Sequence, residues 1–211
     1  MGVIINSKSS ALNQDDLNTC VNALKEGKLV VFPTETVYGI GVNALDEAAI
    51  KDLYSKKQRS FDKPLLMHIS SLEMAEDIAV LNDKARELIK RFSPGPLTLV
   101  VKRKNNVPAV AVSGGETVGL RFPSNPVFLQ ISKAFGAPIA ATSANLSGNK
   151  SAVRAEELKS VLNIADYVID DGECELGLES TILSLVDDTP KILRLGSFPK
   201  EKIEEVVGKC L

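Results

Sequence analysis

The chain has 211 residues, of which 44% are hydrophobic, and its 25 basic and 27 acidic residues leave a formal net charge of −2. This composition supports a folded core and argues against a globally basic nucleic-acid binder, although local basic patches remain open. Three widely spaced cysteines without a CxxC motif argue against a disulfide framework and a zinc site, and without a leader or a long apolar run we expect a cytoplasmic protein.

In the first half of the chain, short apolar runs alternate with amphipathic segments. Strands are predicted at residues 29–32, 65–69 and 97–102. Helices are predicted at residues 15–28, from an N-cap at 46 to the basic residues near 57, from 71, and at 82–92. Gly39 and Gly41 are predicted to let the backbone turn after the first strand.

The second half of the chain predicts shorter strands and several hairpin-like pairs. Strands are predicted at residues 108–112, 117–122, 138–141, 166–169, 181–186 and 191–195. Helices are predicted at residues 125–135, at 154–162 and from 200 onward. The sequence shows no repeat or linker, so we predict one α/β domain, residues 1–211, with a mixed sheet.

The stretch between the first two strands carries the residues of most chemical interest. Hydroxyl groups follow one strand, at Thr34, Thr36 and Tyr38. Cations precede the next strand, at Lys56, Lys57, Arg59 and Lys63. Hydroxyls and cations brought together would suit an anionic ligand. The alternative, a polar loop followed by a solvated basic helix end, is the commoner case in proteins.

Nucleotide binding would need an unconventional loop in this chain. The sequence contains neither a Walker A motif nor a GxGxxG motif. Ser143 and Asn145, after the strand at 138–141, could offer hydroxyl, amide and backbone donors to a nucleotide. Residues of this kind also occur in ordinary turns, and Ser180 is a weaker candidate of the same sort.

Two arginines and the single histidine lie within apolar strands. Arg121 and Arg194 are each either solvated at a sheet edge or directed into a pocket. His68 is better interpreted as a satisfied strand residue than as a catalyst. No partner set for a Ser/His/Asp triad or a metal cluster is apparent in the sequence, which favours a reaction driven by charge placement.

A series of short motifs occurs between about residues 15 and 196. In order, they are PTETVYGIG at 33–41, KQR at 57–59, PGPLT at 94–98, RFP at 121–123, SAN at 143–145, EST at 179–181 and RLG at 194–196. Together these motifs resemble the YrdC-like family, the threonylcarbamoyl-AMP (L-threonylcarbamoyladenylate) synthases. The chain departs from the family pattern at Ser60 and Leu195, where proline is usual.

The resemblance implies a fold and an activity. The fold is an open twisted mixed sheet with flanking helices around a positively charged concave groove, without an additional C-terminal domain. The activity is the formation of threonylcarbamoyl-AMP and pyrophosphate from L-threonine, bicarbonate and ATP, a nucleotidyltransferase step toward N6-threonylcarbamoyladenosine (t6A37) in tRNA. It further implies Mg²⁺ with ATP, a downstream threonylcarbamoyl transferase complex as partner, and a contact with tRNA or double-stranded RNA.

The resemblance also implies roles for individual residues. The catalytic pair is Lys57 and Arg59. The nucleotide contacts are Arg59, Lys63, Thr117, Ser143, Asn145, Ser151 and Arg194. The threonine contacts are Thr36, His68, Arg121, Ala141 and Ser180, with Ala141 contributing backbone only. No side chain is assigned to the metal.

Two other functions compete with this one. The first is a double-stranded-RNA-binding or ribosome-assembly module, whose phosphate backbone would suit the same cations. Glycines and hydroxyls beside the cations favour a small ligand instead, and few aromatic residues are available to stack on bases. The second is the carbamoyl-adenylate chemistry of hydrogenase maturation, which occurs in much longer chains.

Overall fold

The computed structural model describes residues 2–7 and 10–211. Strands β1 to β11 span, in order, Val3–Asn6, Val30–Phe32, Gly39–Asn43, Leu66–His68, Ala79–Val80, Leu97–Arg103, Thr117–Arg121, Ile139–Ser143, Tyr167–Asp170, Thr181–Ser184 and Lys191–Arg194. Helices α1 to α6 span Gln14–Lys25, Glu47–Lys56, Leu72–Ile78, Asp83–Phe92, Pro126–Phe135 and Lys200–Val207. Within these described residues, no helix is both long and apolar enough to cross a membrane.

The strands form one open sheet that mixes parallel and antiparallel pairs. Its order is β1-β9-β2-β3-β8-β4-β7-β6-β10-β11, and β5 pairs with β6 beside this path. The parallel pairs are β1 with β9, β9 with β2, β4 with β7, and β6 with β10, while the other neighbours are antiparallel. The prediction of an α/β domain with a mixed sheet is therefore confirmed.

Helices cover both faces of the sheet. The side chains of β2 alternate between two apolar cores, because Val31 belongs to the larger core while Val30 and Phe32 belong to the smaller one. Helices α1 and α5 pack against each other over the smaller core, which includes the buried Phe128. Helix α2 contributes Leu53 to the larger core and packs on β3.

Helix α2 begins where the sequence predicts. The Asp46 carboxylate accepts a hydrogen bond from the Ala49 N–H at 3.0 Å, which satisfies one free donor of the first turn. The helix ends at Lys56 with Lys57 as its C-cap, and Gln58 follows with a φ of +53°, in the left-handed region that non-glycine residues seldom adopt. This change of direction starts the cationic loop.

Gly39 and Gly41 lie in strand β3, so the turn predicted for them is wrong. The strand pairs with β2 on one side and β8 on the other. A Cβ atom on Gly39 would lie 2.7 Å from the Phe32 ring, and one on Gly41 would lie 2.7 Å from Ile139. The two glycines therefore allow close packing of neighbouring strands rather than an unusual backbone conformation.

Other local predictions were also wrong. Residues 108–112 form a 3-10 segment, Ala109–Val112, and not a strand. Residues 154–162 contain another 3-10 segment, Ala155–Ser160, where an α-helix is predicted. For residues 108–112 the reason is that the periodicity of a short apolar run does not distinguish a strand from a helical turn. Strands β1 and β5 are absent from the prediction, and in β1 only Ile5 is buried.

Candidate active site

The middle strands of the sheet form one wall of a cavity of about 500 Å³. Cross-strand pairs on β4, β7 and β8 share that wall, since Leu66 lies opposite Gly119 and Ala141, and His68 lies opposite Arg121. The basic side chains on the wall are Arg59, Lys63, Arg121 and Arg194, and the acidic ones are Asp62 and Glu179. The wall therefore carries more positive than negative charge.

Most residues singled out in the sequence lie on this wall. They are Arg59, Lys63, His68, Thr117, Arg121, Ala141, Ser143, Ser180 and Arg194. The predicted residues that do not line the cavity are Thr36, Lys57, Asn145 and Ser151. Each of these four contacts a residue of the wall and supports it from behind.

Arg121 lies at the buried end of the cavity, with 5% of its surface exposed. Its Nη2 donates to Thr36 Oγ1 at 2.6 Å and lies 3.2 Å from Glu35 Oε1. The same Nη2 lies 3.5 Å from Thr34 Oγ1, which itself donates to the Val37 carbonyl at 2.6 Å. The sequence leaves Arg121 either solvated at a sheet edge or directed into a pocket. The structure shows the second arrangement.

His68 lies beside Arg121 and is also buried. The rings of Phe32 and Phe128 pack against it, with centroids 5.8 and 5.7 Å away. Burial, and then the charge of Arg121, lower the pKa of His68 to about 3, so its imidazole is neutral at pH 7. Its Nδ1 is buried without a hydrogen-bond partner among the described residues.

Ser180 and Arg194, on the same wall, are joined by hydrogen bonds. Arg194 donates through Nε and Nη2 to the Ser180 carbonyl at 3.1 and 3.0 Å, and Ser180 Oγ lies 2.9 Å from Thr98 Oγ1. Glu179 lies 3.5 Å from Arg194 and accepts from Ser151 Oγ at 2.8 Å. Ser151 thus reaches the cavity only through Glu179.

The loop after α2 holds Arg59 over the cavity. Arg59 donates through Nε to the Lys63 carbonyl at 3.0 Å and through Nη2 to the Pro64 carbonyl at 2.9 Å. Tyr54 Oη donates to the same Lys63 carbonyl at 2.9 Å. Burial lowers the pKa of Arg59, although the side chain remains partly exposed. Hydrogen bonds from Arg59 and Tyr54 to backbone carbonyl groups of the loop therefore fix the conformation of the loop.

Lys57, the other member of the predicted catalytic pair, is buried beside the cavity. It is 1% exposed, and its Nζ donates to the Ser143 carbonyl and to Asn145 Oδ1, the latter at 2.8 Å. Ser143 Oγ also donates to Asn145 Oδ1 at 2.8 Å. Burial, and then the charge of Arg59, lower the pKa of Lys57 to about 7. Lys57 and Asn145 therefore support the Ser143 loop from behind the wall.

Four residues near the cavity receive no individual role from the family resemblance: Thr34, Glu35, Tyr38 and Glu179, of which only Thr34 and Tyr38 were singled out, as hydroxyl groups. Tyr38 donates to the Gly172 carbonyl at 2.8 Å, and burial raises its pKa, so the phenol stays protonated. Their position inside the PTETVYGIG and EST motifs, beside assigned residues, is the signal that could have found them. The sequence around these four residues does not indicate which of their side chains face the ligand.

Comparison with known proteins identifies the family. The family model Sua5/YciO/YrdC, with the description "Telomere recombination", matches residues 22–196. The chain belongs to this family. Threonylcarbamoyl-AMP synthase of Pyrococcus abyssi is 41% identical over 211 residues, which cover 99% of this chain and 62% of that protein. Threonylcarbamoyl-AMP synthase of Bacillus subtilis is 42% identical over 200 residues, which cover 93% and 58%.

Solved structures agree with the family assignment. The crystal structure of P. abyssi Sua5 complexed with L-threonine matches this chain with a TM-score of 0.95 at 41% identity. The match covers 98% of this chain and 61% of the P. abyssi chain. The Sua5/YciO/YrdC chain described here thus spans about three fifths of the length of these relatives.

Proposed function

We propose that this chain is a cytoplasmic nucleotidyltransferase that makes threonylcarbamoyl-AMP and pyrophosphate from L-threonine, bicarbonate and ATP. The observation that carries the proposal is the division of the cavity wall. Its buried end holds Arg121 and a neutral His68, and its more exposed part holds Arg59, Lys63 and Arg194. The names of the P. abyssi and B. subtilis relatives, and the L-threonine in the P. abyssi complex, support it.

A small amino acid matches the groups at the buried end. Arg121 would pair with its carboxylate, because a guanidinium offers two parallel donors. The neutral imidazole of His68 and the hydroxyl of Ser180 would pair with its amine and its side-chain hydroxyl. Ala141 would contribute backbone only, and Thr36 would act through its hydrogen bond to Arg121.

The reaction joins anions, which explains the cations on the exposed wall. The threonine nitrogen would form a bond to the carbon of bicarbonate with loss of water, giving a carbamate. A carbamate oxygen would then attack the α-phosphate of ATP, and the bond to pyrophosphate would break. Arg59, Lys63 and Arg194 would offset the repulsion and stabilise charge on the leaving pyrophosphate. Thr117 and Ser143 would contact the nucleotide.

Mg²⁺ would enter with ATP rather than occupy a protein cage. Residues 2–7 and 10–211 contain no group of three or more His, Cys, Asp or Glu side chains that could hold a metal ion. Mg²⁺ commonly binds through substrate phosphates, water and one or two carboxylates, so this wall fits it. The carboxylates available there are Asp62 and Glu179. The ion would neutralise charge on the phosphates.

The buried end also separates this function from its alternatives. An RNA backbone could reach the exposed Lys63 but not the buried Arg121, so RNA binding alone would leave that charge unexplained. Carbamoyl-adenylate formation uses no amino-acid substrate, so it would leave Arg121, His68 and Ser180 without the ligand proposed for them. Because the product is a reactive mixed anhydride, we further propose a downstream transferase that moves its threonylcarbamoyl group to tRNA, with any direct RNA contact limited to the exposed cations.

Pyrophosphate release from ATP, measured without RNA, tests the proposed function. We expect release that requires both L-threonine and bicarbonate, and a large loss of rate when L-valine replaces L-threonine. Valine matches threonine in shape but leaves a buried hydrogen-bonding group unpaired. Release that is independent of the amino acid, or equal for the two amino acids, would overturn the assignment.

A further inference from the structure

Glu35 lies behind Arg121 and is not among the described residues that line the main cavity. It is 4% exposed and borders a smaller cavity of about 210 Å³, which shares the walls formed by Thr34 and Tyr38. Glu35 Oε1 lies 3.2 Å from Arg121 Nη2, and Glu35 Oε2 accepts from the Ser124 N–H at 3.1 Å. One carboxylate thus connects the end of β7 with the loop that follows it.

Part of the Arg121 guanidinium has no hydrogen-bond partner among the described residues. Its Nη2 donates to Thr36 and forms an ion pair with Glu35, whose Oε1 has no hydrogen-bond partner among the described residues. Its Nε is buried and has no hydrogen-bond partner among the described residues, although Arg121 lines the main cavity. A buried donor without an acceptor costs free energy until an acceptor reaches it. A carboxylate is the acceptor that suits this position, because it neutralises the charge as well.

We propose that Glu35 is a positioning residue that holds Arg121 in the orientation required by the carboxylate of the amino-acid substrate. The inference rests on the proposed function, which assigns L-threonine to the buried end. Through its charge alone, Glu35 would weaken binding of the substrate carboxylate, because a carboxylate beside Arg121 lowers the positive potential that the substrate meets. If only the charge of Glu35 matters, removing it should tighten binding of the amino acid. If Glu35 orients Arg121, removing it should weaken that binding, so the two effects can be separated by measurement.

Glu35→Gln is the direct test, because it removes the charge with little change in volume. In one orientation the NH₂ group of the new amide faces the Ser124 N–H, which loses its acceptor, and in the other it faces Arg121; in both, Arg121 loses its ion-pair partner. We expect calorimetry to show at least ten-fold weaker binding of L-threonine and unchanged binding of ATP. The matched control is Glu173→Gln on the same smaller cavity, where Glu173 pairs with Arg154 at the surface. It should leave both affinities unchanged.

L-threoninol, which lacks the carboxylate, separates positioning from general damage. Glu35→Gln should bind threoninol as the wild type does, so the preference for threonine over threoninol should largely disappear. Glu35→Asp keeps the charge on a shorter side chain and should recover part of the threonine affinity.

Equal or tighter threonine binding by folded Glu35→Gln would overturn the inference. So would a parallel loss of affinity for threonine, threoninol and ATP. If Glu35→Gln does not fold, Glu35→Asp decides: weaker threonine binding with unchanged ATP binding supports the inference, and wild-type threonine binding contradicts it. A wild-type protein that binds no L-threonine would instead overturn the proposed function.

Discussion

Replacing Lys57 with methionine should change how the stability of the protein depends on pH. Burial, and then the charge of Arg59, lower the pKa of Lys57 from 10.5 to about 7 in the folded protein. Between these values the unfolded chain binds a proton that the folded chain does not, so the free energy of unfolding rises with pH. Methionine has a similar length and does not titrate, so Lys57→Met should lack this rise.

The expected size follows from the two pKa values. Between pH 7 and pH 9, Lys57 should add about 2 kcal/mol to the free energy of unfolding of the wild type relative to the variant. At pH 7 the variant loses the Lys57 donors to Ser143 and Asn145, about 1–3 kcal/mol, but also avoids the cost of a buried charge. The difference between the two proteins should therefore be small at pH 7 and clear at pH 9.

Urea unfolding followed by circular dichroism at pH 7, 8 and 9 measures this difference. Lys56→Met is the matched control, because Lys56 is partly exposed and pairs with Asp52 at the surface. It should follow the wild type at every pH. A constant difference between wild type and Lys57→Met would refute the lowered pKa, and the same pH response in Lys56→Met would show that Lys57 is not its source.

Two further predictions concern residues on the cavity wall. Arg59→Lys keeps the charge but loses the planar donor pair, so kcat for pyrophosphate release should fall, and Arg59→Ala should lower it further. An effect confined to the KM for ATP would contradict a role in the transition state. His68→Phe should make the protein less sensitive to acid, because the wild-type pKa of about 3 lies below the ordinary 6.5 and stability is lost as pH falls through that window. Relative to the variant, the wild type should lose about 2 kcal/mol of its free energy of unfolding between pH 6 and pH 4.5, measured by urea unfolding, and identical pH profiles would contradict the lowered pKa of His68.

Helix boundaries with side-chain caps were predictable because the information is local. Asp46 and Asn125 each accept a hydrogen bond from the N–H three residues later, and Pro126 follows Asn125 at the first helical position. Each signal lies within a few residues of the boundary that it defines. Strand β3 was not predictable in this way, because its glycines are explained by Phe32 and Ile139, which belong to the neighbouring strands.

The same limit explains why the motifs located the site but not the direction of its side chains. Lys57 and Arg59 are two residues apart and both basic, so no local pattern distinguishes them. The left-handed backbone of Gln58 separates them in space. Lys57 then turns inward to Ser143, a contact across 86 residues, while Arg59 lines the cavity. The division between a supporting cation and a ligand-facing cation is therefore a product of tertiary packing, and only variants that test each residue separately can measure it.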